Sequence, residues 1–89
     1  MFQEYYILIT KGSCEFCQDA ITLLKEKDLH FMYTDMENAP EILEVTKIAN
    51  NYQTVPMIWK VGVGENMEQP TSNVFIGGYD NLCAHISES

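Results

Sequence analysis

The chain has 89 residues, and 46% of them are apolar or aromatic, which suffices for one modest hydrophobic core and, we expect, one domain spanning 1–89. Thirteen Asp and Glu residues against five Lys, with no Arg, leave a formal net charge of −8. This charge opposes binding to nucleic-acid phosphates and to anionic membrane surfaces. No stretch approaches the roughly 20 apolar residues that cross a bilayer, so we expect neither a nucleic-acid partner nor a membrane.

The three cysteines are Cys14, Cys17 and Cys83, an odd number in which two lie three positions apart. This usage suits a reducing compartment and a redox or metal pair better than a secreted scaffold held by disulfides. The residues before Tyr5 lack the positive flank and small-residue cleavage site of a secretory signal peptide. We therefore expect a cytoplasmic protein.

The first predicted element is the apolar run Tyr5–Ile9, which is typical of a strand covered on both faces. From Glu15 to Lys27 apolar residues recur at helical spacing, which predicts an amphipathic helix. A second strand at His30–Thr34 is followed by a helix that opens near Pro40. We expect the buried stripe of this second helix to consist of Ile42, Val45, Ile48 and Ala49.

Two more strands are predicted at Met57–Val61 and Asn73–Ile76, and a flexible loop from Gly62 to Ser72 joins them. The double glycine Gly77-Gly78 then precedes one short helix. The order strand, helix, strand, helix, strand, strand, helix combines a right-handed crossover unit with a hairpin. The predicted fold is α/β, with a four-stranded mixed sheet flanked by about three helices.

The segment Lys11–Cys17 connects the first strand to the first helix and brings Cys14 to the helix N-cap or next to it. Unpaired backbone N–H groups and the positive end of the helix dipole favour an anion there, so the thiolate is stabilised over the thiol. Lys11 adds a second positive charge. Because the thiolate is the species that attacks disulfides, Cys14 is the predicted nucleophile.

Cys17 lies one helical turn further on, over the same helix face and within side-chain reach of Cys14. After Cys14 forms a mixed disulfide, Cys17 can release the product by closing a disulfide with Cys14. The alternative is that the two cysteines form half of a zinc site, which generally needs four ligands. The other candidate ligands, Cys83, His30 and His85, are scattered without a second paired motif, which favours the redox pair.

Three motifs, in this order and spacing, resemble the glutaredoxin family over nearly the whole chain: Lys11–Cys17, Thr54-Val55-Pro56 and Gly77-Gly78-Tyr79-Asp80. The resemblance implies a thioredoxin-like (glutaredoxin-like) fold. It also implies a monomeric, glutathione-dependent thiol–disulfide oxidoreductase that reduces protein disulfides and glutathionylated proteins through Cys14 and Cys17.

The same resemblance implies how glutathione is bound. Pro56 would be cis, and Val55 would offer its backbone to glutathione as to an added strand. Lys11 would pair with the glycine carboxylate of glutathione and Asp80 with the γ-glutamyl ammonium group. The implied glutathione-binding residues are Lys11, Phe16, Thr54, Val55, Pro56, Gly78, Tyr79, Asp80 and Asn81.

Two positions depart from the family pattern. Glu15 stands where dithiol glutaredoxins commonly have Pro, and its charge opposes the Cys14 thiolate while suiting a helix N-terminus. Some glutaredoxins without that Pro hold a bridging two-iron two-sulfur cluster between two protomers. Asn81 stands where a second acidic residue is often found, so recognition of the γ-glutamyl end is expected to be weaker.

These departures keep two other functions open. One is a cluster-binding or electron-donor redoxin that serves a partner such as ribonucleotide reductase. The other keeps the enzyme but makes thioredoxin reductase its electron source, against which Lys11 and Asp80 argue. Cys83, on the last helix, is expected to be a buried small hydrophobe.

Overall fold

The computed structural model describes residues 3–63 and 70–88 and has the predicted order of elements. The strands are β1 (Gln3–Thr10), β2 (Phe31–Asp35), β3 (Met57–Val63) and β4 (Pro70–Gly77), and the helices are α1 (Glu15–Glu26), α2 (Pro40–Ala49) and α3 (Tyr79–Glu88). The strand order in the sheet is β2-β1-β3-β4. Strand β1 is parallel to β2 and antiparallel to β3, and β4 is antiparallel to β3. The predicted four-stranded mixed sheet with three helices is confirmed.

The core lies between one face of the sheet and helices α1 and α3. Residues of β1 alternate between the two faces, so Tyr6 and Leu8 are buried in this core while Ile7 lies on the opposite face, half-buried. The buried cluster consists of Tyr6, Leu8, Ala20, Ile21, Leu24, Ile58 and Leu82. Within the described ranges, no helix is long and apolar enough to span a bilayer.

Helix α2 ends in a Schellman motif that directs the chain back to the sheet. Asn51 adopts a left-handed conformation, with φ 51°, which Asn tolerates better than most residues. The Asn51 N–H donates to the Ile48 carbonyl at 3.1 Å, and the Tyr52 N–H donates to the Lys47 carbonyl at 2.9 Å. The Tyr52 ring then meets Phe75 edge-on, with centroids 5.2 Å apart. The end of α2 is thereby fixed against β4.

The predicted flexible loop from Gly62 to Ser72 is too long. Gly62 pairs with Ser72, and Val63 pairs with Pro70, so both strands extend into the predicted loop. A register shift between Gly62 and Val63 accommodates the irregular end of the hairpin, and Pro70 is tolerated because β4 is an edge strand. The centre of the predicted loop, residues 64–69, lies outside the described residues.

The predicted buried stripe of α2 is wrong. Ile42, Val45 and Ile48 are 59%, 66% and 73% exposed, and Ala49 is exposed as well. The buried residue of α2 is Leu43, which is 4% exposed. Hydrophobic periodicity identifies a helix but does not determine which face packs when apolar residues occur on both.

We expect Leu43→Ala to lower the free energy of unfolding by about 2–5 kcal/mol, because it removes a buried side chain and leaves a cavity. Ile42→Ala, the neighbouring substitution on the exposed face, should change it by only about 0.5 kcal/mol. Urea denaturation of both variants measures the difference. A larger loss for Ile42→Ala than for Leu43→Ala would contradict this orientation of α2.

Candidate functional site

Cys14 is the N-cap residue of α1, as the sequence predicts. Its backbone is extended, with φ −88° and ψ 115°, and its sulfur accepts a hydrogen bond from the Cys17 N–H at 3.2 Å. The Cys14 N–H donates to the Lys11 carbonyl at 2.9 Å and closes the turn before the helix. The Cys14 sulfur therefore takes the position of the Ser or Asp oxygen that usually caps a helix, facing N–H groups that stabilise negative charge.

Cys17 lies inside the first turn of α1 and has no exposed surface. Burial raises the pKa of the Cys17 thiol to about 12, and a hydrogen bond with Cys14 acts in the same direction. A backbone hydrogen bond with Lys11 lowers this pKa, and the negative charge of Asp35 raises it slightly further. Cys17 is therefore a protonated thiol at neutral pH, whereas Cys14 is partly exposed. The geometry suits Cys14 to attack a disulfide and Cys17 to release the product from the mixed disulfide that follows.

The segment before β3 brings a backbone acceptor to the reactive sulfur. The Val55–Pro56 peptide bond is cis, as the resemblance implies. The Cys14 thiol donates to the Val55 carbonyl oxygen at a distance of 3.6 Å. Pro56 is buried beneath this contact, while Val55 is half-buried. The middle motif and the first motif thus meet at Cys14.

A groove of about 310 Å³ lies among the three motifs. Its lining residues are Phe16, Tyr52, Thr54, Val55, Pro56, Gly78, Tyr79, Asp80 and Asn81. Every predicted glutathione-binding residue except Lys11 lines this groove. Phe16 is 60% exposed and stacks on Tyr79, with ring centroids 6.1 Å apart, so it forms a wall of the groove rather than part of the core.

Tyr52 is the lining residue that the sequence analysis missed. The sequence does carry a signal for Tyr52. This aromatic residue stands between Asn50-Asn51, which end α2, and the motif Thr54-Val55-Pro56, so its position is close to the site. Its phenol oxygen lies only 2.8 Å from the position that a Cβ at Gly78 would occupy. The absence of a side chain at Gly78 therefore lets Tyr52 close one end of the groove.

The start of α3 is capped by the side chain of Asn81. The Asn81 side-chain oxygen accepts a hydrogen bond from the Gly78 N–H at 3.0 Å, and the Leu82 N–H donates to the Gly78 carbonyl at 3.0 Å. Gly78 is thus the N-cap, and Asp80 lies exposed in the first turn of α3. The carboxylate of Asp80 and the first N–H groups of α3 border the groove together, which provides one acceptor group beside several donors.

Lys11 lies apart from the groove. Its ammonium group is 3.8 Å from the Glu37 carboxylate. The neighbouring Gly12 N–H donates to Asp35 Oδ1 at 3.0 Å, and the Glu37 N–H donates to the same oxygen at 2.8 Å. The end of β2 thus holds the loop that carries Cys14.

The sequence matches the family model for glutaredoxin over residues 6–64, which is more than half of the chain. The chain belongs to the glutaredoxin family. Among solved structures, this glutaredoxin is similar to a glutaredoxin from Brucella melitensis, with 27% identity and a TM-score of 0.67 over 94% of this chain and 79% of the other. Membership of the family supports a general role as a thiol–disulfide oxidoreductase.

A second solved structure, the Trx4 domain of ERdj5, is similar at 13% identity, with a TM-score of 0.58 over 97% of this chain and 78% of the other. That likeness concerns the thioredoxin-like fold alone. A search of curated protein sequences finds no significant match.

Cys83 lies outside the cysteine pair and is half-buried, so the expectation that it is buried is wrong. A hydrogen bond with Cys83 raises the pKa of Tyr79.

Across residues 3–63 and 70–88, no three His, Cys, Asp or Glu side chains gather where they could hold a metal ion.

The raised pKa of Cys17 predicts a loss of stability at alkaline pH. Between about pH 9 and 12 the unfolded chain releases this proton while the folded chain keeps it, so the free energy of unfolding falls as pH rises. The slope from this group approaches about 1.4 kcal/mol per pH unit. Cys17→Ala should reduce the slope measured by urea denaturation of the reduced protein between pH 8 and 10.5. Identical slopes for wild type and Cys17→Ala would contradict the assignment.

Gly77→Ala should disrupt the cap of α3. Gly77 has a φ of +118°, and an added Cβ would lie 2.6 Å from the Asn81 side-chain oxygen. We expect a loss of about 1–3 kcal/mol in the free energy of unfolding. Gly12→Ala is the matched control, since its Cβ would meet only the rotatable Asp35 carboxylate at 3.1 Å. Equal losses in the two variants would show that the left-handed backbone at Gly77 is not the cause.

Proposed function

We propose that this glutaredoxin reduces glutathione mixed disulfides and protein disulfides through Cys14 and Cys17, with glutathione as the reductant. The observation that carries the proposal is the N-cap position of a partly exposed Cys14 sulfur beside a groove, with a buried and protonated Cys17 one turn below it. The two sulfurs differ in exposure, and the proposed reaction uses this difference.

Reduction of a glutathionylated protein needs Cys14 alone. The Cys14 thiolate attacks the glutathione sulfur, a Cys14–glutathione disulfide forms, the bond to the protein breaks, and the departing protein thiolate takes a proton. A second glutathione thiolate then attacks the bound glutathione, which releases Cys14 and glutathione disulfide. One glutathione thiol is thus oxidised to the disulfide level and the substrate sulfur is reduced to its thiol, while the glutathione sulfur that came from the substrate stays in a disulfide throughout.

Reduction of a protein disulfide also needs Cys17. Cys14 first forms a mixed disulfide with one substrate sulfur, and the other substrate sulfur leaves as a thiol. Cys17 then gives its proton to the second departing sulfur as it attacks Cys14, so the Cys14–Cys17 disulfide forms and the mixed disulfide breaks. Two glutathione molecules return the pair to the dithiol and become glutathione disulfide.

The contact between Cys14 and Val55 supports binding of the glutathione backbone. While Cys14 carries a proton, that proton engages the Val55 carbonyl. Formation of a disulfide at Cys14 removes the proton, so the carbonyl becomes available to an N–H group of the bound peptide. This pairing adds an extended peptide to the segment before β3, which is how sheet edges recognise peptides.

The charged ends of glutathione have suitable partners along and near the groove. The first-turn N–H groups of α3 suit a carboxylate, and Asp80 suits the ammonium group beside it. The groove of about 310 Å³ is within the usual range for small ligands. Lys11 reaches the other carboxylate by leaving Glu37, and exposed pairs at 3.8 Å contribute little to stability.

The proposal predicts different effects for the two cysteines. Cys14→Ser should abolish reduction of a glutathionylated peptide, because no attacking sulfur is left. Cys17→Ser should keep much of this activity but lose reduction of protein disulfides, because it cannot resolve the mixed disulfide. Cys83→Ser is the control and should retain both activities. Equal loss of mixed-disulfide reduction in Cys14→Ser and Cys17→Ser would remove this mechanism.

The electron source is tested in a coupled assay on a small glutathione mixed disulfide. NADPH consumption is followed with glutathione and glutathione reductase, and in parallel with thioredoxin reductase alone. The proposal expects turnover in the first assay. Turnover with thioredoxin reductase and none with glutathione would show that thioredoxin reductase, and not glutathione, supplies the electrons.

A further inference from the structure

The exposed side of α2 carries an apolar surface that the fold does not use. We call Ile42, Val45, Ile48 and Ala49 the outer stripe of α2. Its three large members are between 59% and 73% exposed, on a helix of ten residues. Single exposed apolar residues are common on proteins, but a contiguous stripe of them marks a surface that contacts another molecule.

The outer stripe is continuous with the groove beside Cys14. A second groove, at the C-terminal end of α2, is lined by Glu44, Lys47, Ile48, Asn51, Tyr52 and Gln53. Tyr52 lines both grooves and touches Gly78 at the third motif. The two grooves therefore share Tyr52, and the second groove includes Ile48 of the outer stripe.

Negative charge borders this path. Glu41 and Glu44 are exposed on α2, and Glu15 and Asp80 are exposed beside Cys14 and the groove. With a net charge of −8 on the chain, a positively charged partner is attracted and a negative one is repelled. The path is thus apolar in the middle, and four carboxylates border it against the ammonium group of Lys47, which lines the second groove.

A second copy of the chain fits this surface poorly. Each copy carries the same net charge of −8, so two copies repel. The stripe lies on a helix of ten residues, about 15 Å long, whereas a stable interface buries about 800 Å² per partner. A short, transient contact with a substrate needs much less area.

We infer that protein substrates dock along the outer stripe of α2 while their disulfide lies at Cys14, and that they carry apolar residues flanked by Lys or Arg near the reacting cysteine. This inference rests on the proposed function and specifies its protein substrates. Glutathione, which occupies only the groove at Cys14, does not contact the stripe. The stripe therefore affects protein substrates selectively.

The test uses three synthetic peptides that contain one internal disulfide and a tail of ten residues. The first tail holds Ile and Leu flanked by Lys, the second replaces Lys with Glu, and the third replaces Ile and Leu with Ser. A ten-residue extended tail spans about 33 Å, comparable to the longest dimension of the protein, 38 Å. The pre-reduced dithiol protein is mixed with each peptide without glutathione, and the rate of peptide reduction is measured.

We expect the Lys peptide to be reduced about tenfold faster than the Glu peptide at low salt, with a smaller ratio at 0.5 M salt. It should also be reduced about five- to tenfold faster than the Ser peptide. The double variant Val45→Ser, Ile48→Ser should lose the preference over the Ser peptide. The double variant Glu41→Gln, Glu44→Gln should lose much of the preference over the Glu peptide.

Two controls separate docking from chemistry. Val74→Ser changes another exposed apolar residue, on the edge strand β4 and outside both grooves, and should keep both preferences. All variants should reduce a small glutathione mixed disulfide at the wild-type rate. A loss of that rate in the α2 variants would mean a structural defect and would overturn the inference.

Other outcomes also decide the question. Equal rates for the three peptides, with normal turnover of the small mixed disulfide, would overturn docking and leave the proposed function intact. No reduction of any peptide or of the small mixed disulfide would remove the proposed function and the inference together. A wild-type dimer in sedimentation equilibrium that Val45→Ser, Ile48→Ser dissociates would assign the stripe to a second copy instead.

Discussion

The hydrogen bond from the Cys17 N–H to the Cys14 sulfur connects the start of α1 to the chemistry of the pair. A helix begins with N–H groups that lack partners within the helix, and an N-cap side chain normally supplies an oxygen for one of them. A sulfur supplies it here, and hydrogen bonds to a charged acceptor are stronger than those to a neutral one. The contact that caps α1 is therefore strongest when Cys14 is the anion that attacks a disulfide, so one interaction serves both the fold and the reaction.

The position of that cap depends on the sheet around it. The loop that carries Cys14 leaves the end of β1, and Asp35 at the end of the parallel strand β2 accepts a hydrogen bond from Gly12 within this loop. On its other side, the Val55 carbonyl before β3 accepts a hydrogen bond from the Cys14 thiol. Three neighbouring strands thus fix one sulfur. The helix geometry alone then sets Cys17 one turn deeper, where burial keeps it protonated until a reaction draws its proton away.

Prediction from the sequence succeeded where nearby residues alone determine the local structure. A cysteine pair between a strand and a helix determines the N-cap position of Cys14, and the order of elements determines the sheet. It failed on α2, where the period of Ile42, Val45 and Ile48 correctly predicted a helix but not the face that packs. Which face packs depends on contacts with parts of the chain that are distant in sequence, and a helical period does not encode them. Likewise, the hydrogen bond from the Gly78 N–H to Asn81 and the ion pair of Lys11 with Glu37 could not be predicted from the sequence, because Asn and Lys side chains bind many kinds of partner.

The charges around the site bear on how the proposed enzyme distinguishes its substrates. Lys11 is already paired with Glu37, and Glu15 and Asp80 add negative charge near the groove. Besides Lys11 and Asp80, the proposed recognition of glutathione, itself an anion, uses backbone groups, namely the N–H groups of α3 and the carbonyl of Val55. These groups remain whichever side chains surround them. The side chains on the outer surface of α2 take no part in this proposed binding of glutathione. Their apolar and acidic character can therefore select protein substrates without changing how glutathione binds.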